Sequence, residues 1–139
     1  MKKLFLAMLI IILIPAVNAT ALDWIGVNQV TVAWDAVTAL ADDTPIPQGD
    51  AISYRIYIKK LPSGADQVIG DTQQLTYTIT LPSEGRYVVG LQTVRIPQGE
   101  TEEQLSEINW SDVNGESTPN PFGIKYFINP SAAKNLRPQ

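Results

Sequence analysis

Apolar residues between positions 22 and 128 recur at every second position, in short runs that end at Pro, Gly, Asp or Ser. This period of two is typical of half-buried β-strands, and little of the stretch shows the spacing of an amphipathic helix. Several short strands joined by turns at this spacing indicate a sandwich or a barrel. The pattern therefore predicts an all-β domain.

The alternation is specific enough to place individual strands. The predicted strands lie at residues 30–34, 52–59, 67–70, 75–81, 87–92 and 107–113. In the fourth of these, apolar residues alternate with threonines, so the threonine face should be exposed to water. The stretch before the first strand, residues 22–27, offers at most one short additional strand.

The first 19 residues have the order of a secretory signal peptide. Lys2 and Lys3 precede an apolar run at residues 4–14, and Ala19 closes the segment with a small side chain. The run is shorter than the ~18 apolar residues of a membrane span. We therefore predict cleavage after residue 19, with residue 21 as the alternative, and a secreted or periplasmic protein that has no membrane contact after cleavage.

The composition removes several chemistries. The chain of 139 residues has no cysteine and no histidine, so it lacks a disulfide, a thiol nucleophile, and the commonest general base and transition-metal ligand. Its net charge is −4, and it becomes more negative when the two N-terminal lysines are removed. An acidic exported chain is not expected to bind nucleic acid. No cofactor is predicted.

Acidic clusters are the remaining candidates for a metal or catalytic site. The loop between the first two strands carries Asp35, Asp42, Asp43 and Asp50, and calcium prefers such carboxylates. The calcium-loop order Asp-x-Asp-x-Asp-Gly is absent, however, so we predict a solvated loop without metal. The glutamates at residues 100–107 have no apolar surroundings that would raise a carboxyl pKa for acid catalysis. No catalytic residue and no enzymatic activity are predicted.

Three short motifs occur in order along the strands. Residues 30–35 read VTVAWD, residues 53–57 read SYRIY, and residues 81–87 read LPSEGRY. They resemble the second strand, the third strand and the tyrosine corner of the fibronectin type III domain, and the resemblance covers roughly residues 28–114. It implies an immunoglobulin-like β-sandwich of about seven strands. Four residues on the core side are expected to be structural: Trp34, Tyr54, Leu81 and Tyr87.

The predicted sandwich occupies residues 20–118, and residues 119–139 form a C-terminal tail. Residues 120–128 are apolar enough to be a further strand, and residues 130–137 resemble the proline-led opening of a fibronectin type III first strand. Because an open sheet edge is a template for pairing, the tail either docks on its own domain or adds to another molecule. The candidate assembly residues are Phe122, Ile124, Tyr126 and Ile128.

Exposed aromatic and basic residues are the candidates for a binding surface. Arg55, Tyr57 and Lys59 alternate with core residues and should share an outward face. Trp110 shares a face with Ile108, which favours core packing, although Trp24 and Trp110 could instead stack on sugars or peptides. We expect an exported, non-catalytic module that binds a protein or cell-surface partner in adhesion. The alternatives are a structural subunit that self-associates through its tail and a carbohydrate-binding accessory module.

Overall fold

The computed structural model describes residues 22–138, so the predicted signal peptide lies outside the described residues. In this span the chain forms nine strands and no helix. The strands are β1 (Asp23–Gly26), β2 (Gln29–Ala33), β3 (Ala51–Leu61), β4 (Asp66–Thr72), β5 (Thr76–Thr80), β6 (Gly85–Ile96), β7 (Gln104–Leu105), β8 (Asn109–Trp110) and β9 (Phe122–Tyr126). Across residues 22–138, no helix has the length and apolar character needed to cross a membrane.

The strands form two sheets. The large sheet has the order β1-β9-β6-β3-β4, and β7 and β8 also pair with β6; the small sheet is the antiparallel pair β2-β5. The central strands β3 and β6 are 11 and 12 residues long and pair along nearly their whole length. At the sheet edge, β1 runs parallel to β9. The predicted all-β sandwich is therefore confirmed.

Five of the six predicted strands overlap β2 to β6, and the threonines of β5 are exposed as expected. The sixth predicted strand, over residues 107–113, is confirmed only at Asn109–Trp110, which pairs with β6. Beyond Trp110 the chain forms turns, and the next strand begins at Phe122. The strands β7, β8 and β9 therefore pair with successive parts of β6 along the same edge. The short strand expected at residues 22–27 is β1.

The core lies between the sheets and draws on both of them. Its buried members are Ile56, Ile58, Ile79, Leu81, Tyr87, Val89 and Ile124. Tyr54 is also buried, and Trp34 and Tyr77 are partly buried, with both rings packed against the core. The core side predicted for these aromatic rings is therefore confirmed. Removal of this apolar surface from water is the main favourable contribution to folding.

The tail strand belongs to the sandwich. Strand β9 lies between β1 and β6, and Phe122, Ile124 and Tyr126 pack against the core. A domain boundary at residue 118 therefore excludes one strand of the large sheet, and the sandwich extends to residue 126. Three of the four side chains named as assembly candidates therefore pack within their own molecule, where β9 pairs with residues 85–87 of β6. Ile128, the fourth, is exposed.

The tyrosine corner expected from the sequence is present. The Tyr87 hydroxyl donates a hydrogen bond to the Ser83 backbone carbonyl at 3.1 Å and lies 2.8 Å from the Ser83 hydroxyl. The ring itself is buried in the core. The hydroxyl therefore ties the turn that precedes β6 to the sandwich.

Tyr87→Phe should reduce the free energy of unfolding by about 1 kcal/mol, because it removes this hydrogen bond and leaves the ring in place. Tyr126→Phe is the matched control, since the Tyr126 hydroxyl forms no hydrogen bond within residues 22–138. Urea denaturation of both variants measures the difference. Equal stability of the two variants would mean that the corner hydrogen bond contributes nothing.

Candidate binding face

One face of the large sheet points away from the small sheet; we name it the outer face. Residues on neighbouring strands meet there through the sheet register. Tyr57 pairs with Gly90, and Gly90 pairs with Trp110. The described residues that carry its aromatic and basic character are Trp24, Arg55, Tyr57, Lys59, Arg86, Trp110 and Lys125. The predicted outward direction of Arg55, Tyr57 and Lys59 agrees with this placement.

The Trp110 ring lies over Gly90. A Cβ atom at Gly90 would lie 2.9 Å from the Trp110 ring and 2.8 Å from the Ile108 side chain, so only glycine leaves room for the ring. Lys59 Nζ lies 4.1 Å from the centroid of the Trp110 ring. The Tyr57 ring is tilted relative to the Trp110 ring, and the two centroids are 6.3 Å apart. Trp110 and Ile108 do share a face, but it is the outer face. The expectation that Trp110 packs in the core is therefore wrong.

Trp24, at the edge of the sheet, is placed in the same way as Trp110. It pairs with Gly123, and a Cβ atom there would lie 2.6 Å from the indole ring. The Arg86 guanidinium lies 5.4 Å from the centroid of this ring, within the range of a cation–π contact. The outer face thus carries two tryptophans, each lying over a glycine and each covered by a cation.

Arg86 and Lys125 are directly opposite each other on β6 and β9. Both side chains are exposed, and neither forms an ion pair within the described part of the chain. Like charges directly opposite each other on adjacent strands repel. This end of the outer face is therefore a basic patch on an otherwise acidic protein, and an anionic group placed there would relieve the repulsion.

The residues predicted as the binding patch differ in their availability. Arg55 is held by Asp71 at 2.9 Å and Glu103 at 3.1 Å, and the hydrogen bond to Asp71 is the main cause that raises its pKa. The Tyr57 hydroxyl donates to Gln92 at 2.7 Å. Lys59 pairs with an aspartate of β4 at 2.9 Å while it covers Trp110. Arg55 is thus neutralised within the molecule, and Tyr57 and Lys59 help to hold Trp110.

Sequence reasoning missed the basic pair Arg86 and Lys125. They are 39 positions apart in the sequence, and only the pairing of β6 with β9 brings them together. The tryptophan at position 24 was named as a possible stacking residue, but no local pattern indicated that it would lie over Gly123 beside Arg86. The available signal was the presence of glycines at positions 90 and 123, within apolar strand patterns, which leave room for a large ring from a neighbouring strand.

The acidic loop is only partly solvated. Asp50 accepts hydrogen bonds from the Gln98 backbone N–H at 3.0 Å and from Arg95 at 2.5 Å, and its side chain is only 3% exposed. Asp42 accepts bonds from the backbone N–H and hydroxyl of Thr44. Residues 22–138 contain no group of three or more acidic side chains placed to hold a metal ion. The solvated-loop expectation is therefore wrong for Asp50, which instead fastens the loop to the turn after β6.

The Asp50 contacts predict a pH dependence. The Gln98 N–H, and next Arg95, lower the pKa of Asp50 below its ordinary value. The Asp50 carboxylate is therefore protonated more readily in the unfolded chain than in the folded one. The stability that its contacts contribute is complete above about pH 4 and is lost as pH falls through the folded-state pKa of Asp50. Asp50→Asn should therefore lose less stability than the unmodified chain between pH 5 and pH 2, as measured by thermal unfolding. Parallel pH profiles would contradict this assignment.

Comparison of the chain with protein-family models, curated proteins and solved structures finds no match. What the fold defines is the class of all-β sandwich proteins with one two-stranded sheet and one larger sheet.

Proposed function

We propose that this chain is an exported, non-catalytic module of the fibronectin type III kind that binds a protein or cell surface through its outer face. The N-terminal pattern supports export. Three features support the fibronectin type III assignment: the pairing of β2 with β5, the placement of β6 between β3 and β9, and the hydrogen bond from Tyr87 to the turn that precedes its strand. Folds host many functions, so the binding role rests on the outer face itself.

The proposal rests on one observation. Two tryptophans are held in place on one face, near Arg86 and Lys125, which form no ion pair with the described residues. By continuation of the β6–β9 register, Gly123 lies level with Val88, so the two supporting glycines are about 7 Å apart along the strands. Rings already held over glycine lose little freedom when a partner binds. Trp, Tyr and Arg are also the residues most enriched among binding hot spots. The face therefore combines rigid flat rings with a basic patch.

The non-catalytic part of the proposal rests on the side chains available. The chain has no histidine or cysteine. Among the acidic residues, Asp50, Asp71 and Glu103 each hold an arginine. The oxygens of these carboxylates are occupied by their contacts with arginine. The acidic residues just named therefore hold the fold together and do not form an acid–base pair.

A carbohydrate-binding role is the second candidate, favoured by the same two rings, because half-buried flat indoles at a sheet surface can stack on sugars when the covering cations move aside. A protein partner would instead use the cations and tryptophans together as hot spots. The two candidates share one surface and differ in the ligand. An array that carries both peptides and neutral and acidic glycans distinguishes them.

The experiment compares array binding of the mature chain with that of Trp24→Ala and Trp110→Ala. We expect each substitution to weaken the detected ligand at least about tenfold, equivalent to about 1.4 kcal/mol. Leu75→Ala is the control, because Leu75 is an exposed apolar residue next to β5 of the small sheet. A ligand that binds both tryptophan variants as tightly as the unmodified chain would place the binding surface elsewhere.

A further inference from the structure

The side of the sandwich next to β2 is open. Within the described residues, β2 pairs only with β5, so its other edge presents unpaired backbone groups. Two adjoining hollows of about 250 and 710 Å³ lie beside this edge, and both are lined by Trp34 and Leu91. We name the two hollows together the side cleft. An unpaired strand edge is a template for addition of another segment.

The side cleft has an apolar part, and Trp34, one of its lining residues, carries an unsatisfied polar atom. The smaller hollow reaches Val32, Ile56, Val89 and Phe122 between the sheets. The indole N–H of Trp34 is buried and has no hydrogen-bond acceptor among residues 22–138. Buried donors are rarely left unpaired in folded proteins, so this N–H points to an acceptor supplied from outside the described residues of one molecule. A backbone carbonyl placed along β2 is an acceptor of this kind.

The rim of the side cleft is acidic. Asp35, Glu107 and Glu116 all line the larger hollow. None of them forms an ion pair in the part of the chain that the structure covers. Three carboxylates around one hollow repel each other, and cationic side chains placed there would remove the repulsion. The cleft therefore fits a segment that has an apolar side chain flanked by positive charges.

The C-terminal segment of this chain has that composition. Residues 127–138 form no strand, and all of them are exposed. Leu136 is 99% exposed, and Lys134 and Arg137 flank it. Neither cation forms an ion pair with the described residues. An apolar side chain held entirely in water between two cations is the complement of the side cleft.

We propose that the side cleft of one molecule binds residues 130–137 of a second copy. Leu136 enters the apolar hollow, Lys134 and Arg137 face the three carboxylates, and a backbone carbonyl of the segment accepts the Trp34 N–H. The contact joins two different surfaces, so it repeats head to tail and builds arrays or rings. This inference is independent of the proposed binding function, since the outer face takes no part in it.

The position of the segment favours a second copy over the molecule's own cleft. Strand β9 ends where Tyr126 pairs with Gly85, just after the turn that joins β5 to β6. This is the end of the sandwich where β2 begins, since Gln29 pairs with Thr80. The side cleft lies at the other end of β2, beside Trp34. To enter its own cleft, the segment would have to reverse direction and run back past β1. To enter the cleft of a neighbouring molecule, it needs no such reversal.

The test is light scattering of the mature chain over a wide range of concentrations, with three variants. We expect the average mass of the unmodified chain to rise with concentration. The double variant Lys134→Glu with Arg137→Glu should raise the dissociation constant at least tenfold, and Leu136→Ser should do the same. Lys60→Glu is the control for a charge change outside the segment, because Lys60 is exposed and lines neither hollow, and it should associate as the unmodified chain does.

Charge reversal provides the decisive step. Adding Glu107→Lys and Glu116→Lys to the Lys134→Glu, Arg137→Glu variant should restore association, because the two surfaces become complementary again. Monomers at every concentration would overturn the proposal. If Leu136→Ser also lowered the unfolding temperature of such monomers, the segment would occupy its own cleft, and the proposal would again be wrong. If the Lys134→Glu, Arg137→Glu variant still associated, or if Glu107→Lys and Glu116→Lys did not restore its association, the contact would lie elsewhere.

Discussion

Ile124→Ala should lower the free energy of unfolding by about 2–5 kcal/mol, because it leaves a cavity where a fully enclosed side chain packed. Ile124 is 0% exposed and belongs to the core cluster, although it comes from a segment that the sequence suggested could serve another molecule. Urea denaturation of the mature chain measures the loss. A loss of this size would establish that β9 completes its own sandwich in solution.

Ile128→Ala is the matched control for this prediction. Its side chain is 66% exposed and lies two residues beyond the end of β9, so its truncation should change stability by no more than about 0.5 kcal/mol. Small and equal effects at Ile124 and Ile128 would show that β9 does not dock between β1 and β6. The proposed assembly through residues 130–137 does not depend on β9 leaving the sheet.

Gly90→Val should cost about 1–3 kcal/mol of stability through overpacking, and it should displace Trp110 from the outer face. The new Cβ would lie under 3 Å from both the Trp110 ring and the Ile108 side chain. The ring must then move away from Lys59 and Tyr57, which it now contacts. Tryptophan fluorescence and near-ultraviolet circular dichroism should both report a change in the environment of the ring.

Gly115→Val provides the control, because a Cβ atom there would meet no heavy atom within 4 Å. Its fluorescence and near-ultraviolet spectrum should match those of the unmodified chain. If Gly90→Val left both spectra unchanged, Trp110 would not lie over Gly90. If the substitution also abolished array binding that Gly115→Val retained, it would support the outer face as the binding surface.

The two proposed surfaces share no residue, so they can be tested separately. Trp24→Ala and Trp110→Ala act on the outer face, whereas substitutions at Lys134, Leu136 and Arg137 act on the segment that we propose enters the side cleft. Loss of ligand binding with unchanged association, or the reverse, identifies which proposal fails. If both hold, head-to-tail assembly would repeat the outer face along an array and raise its avidity for a surface with many ligands.

Local alternation was sufficient for the central strands. Residues 52–59 alternate because one side of β3 is buried against the small sheet and the other is only half-buried. Residues 87–92 are buried on both sides of β6, and their run of apolar residues was enough to predict a strand. The Tyr87 hydrogen bond could also be predicted, because both partners lie within one turn. The threonine face of β5 followed from the same period of two.

The sequence alone therefore determined the all-β class, the positions of β2 to β6 and the core side of Trp34, Tyr54, Leu81 and Tyr87, because these depend on contacts that each strand's own pattern reports. Only the tertiary structure decided the side on which Trp110 lies, the inclusion of β9 in the sheet, and the pairing of Arg86 with Lys125. The strand that carries Trp110 is two residues long, too short for a pattern to show which face is buried. The other two depend on pairing between distant segments, which sheet register sets and local sequence does not encode.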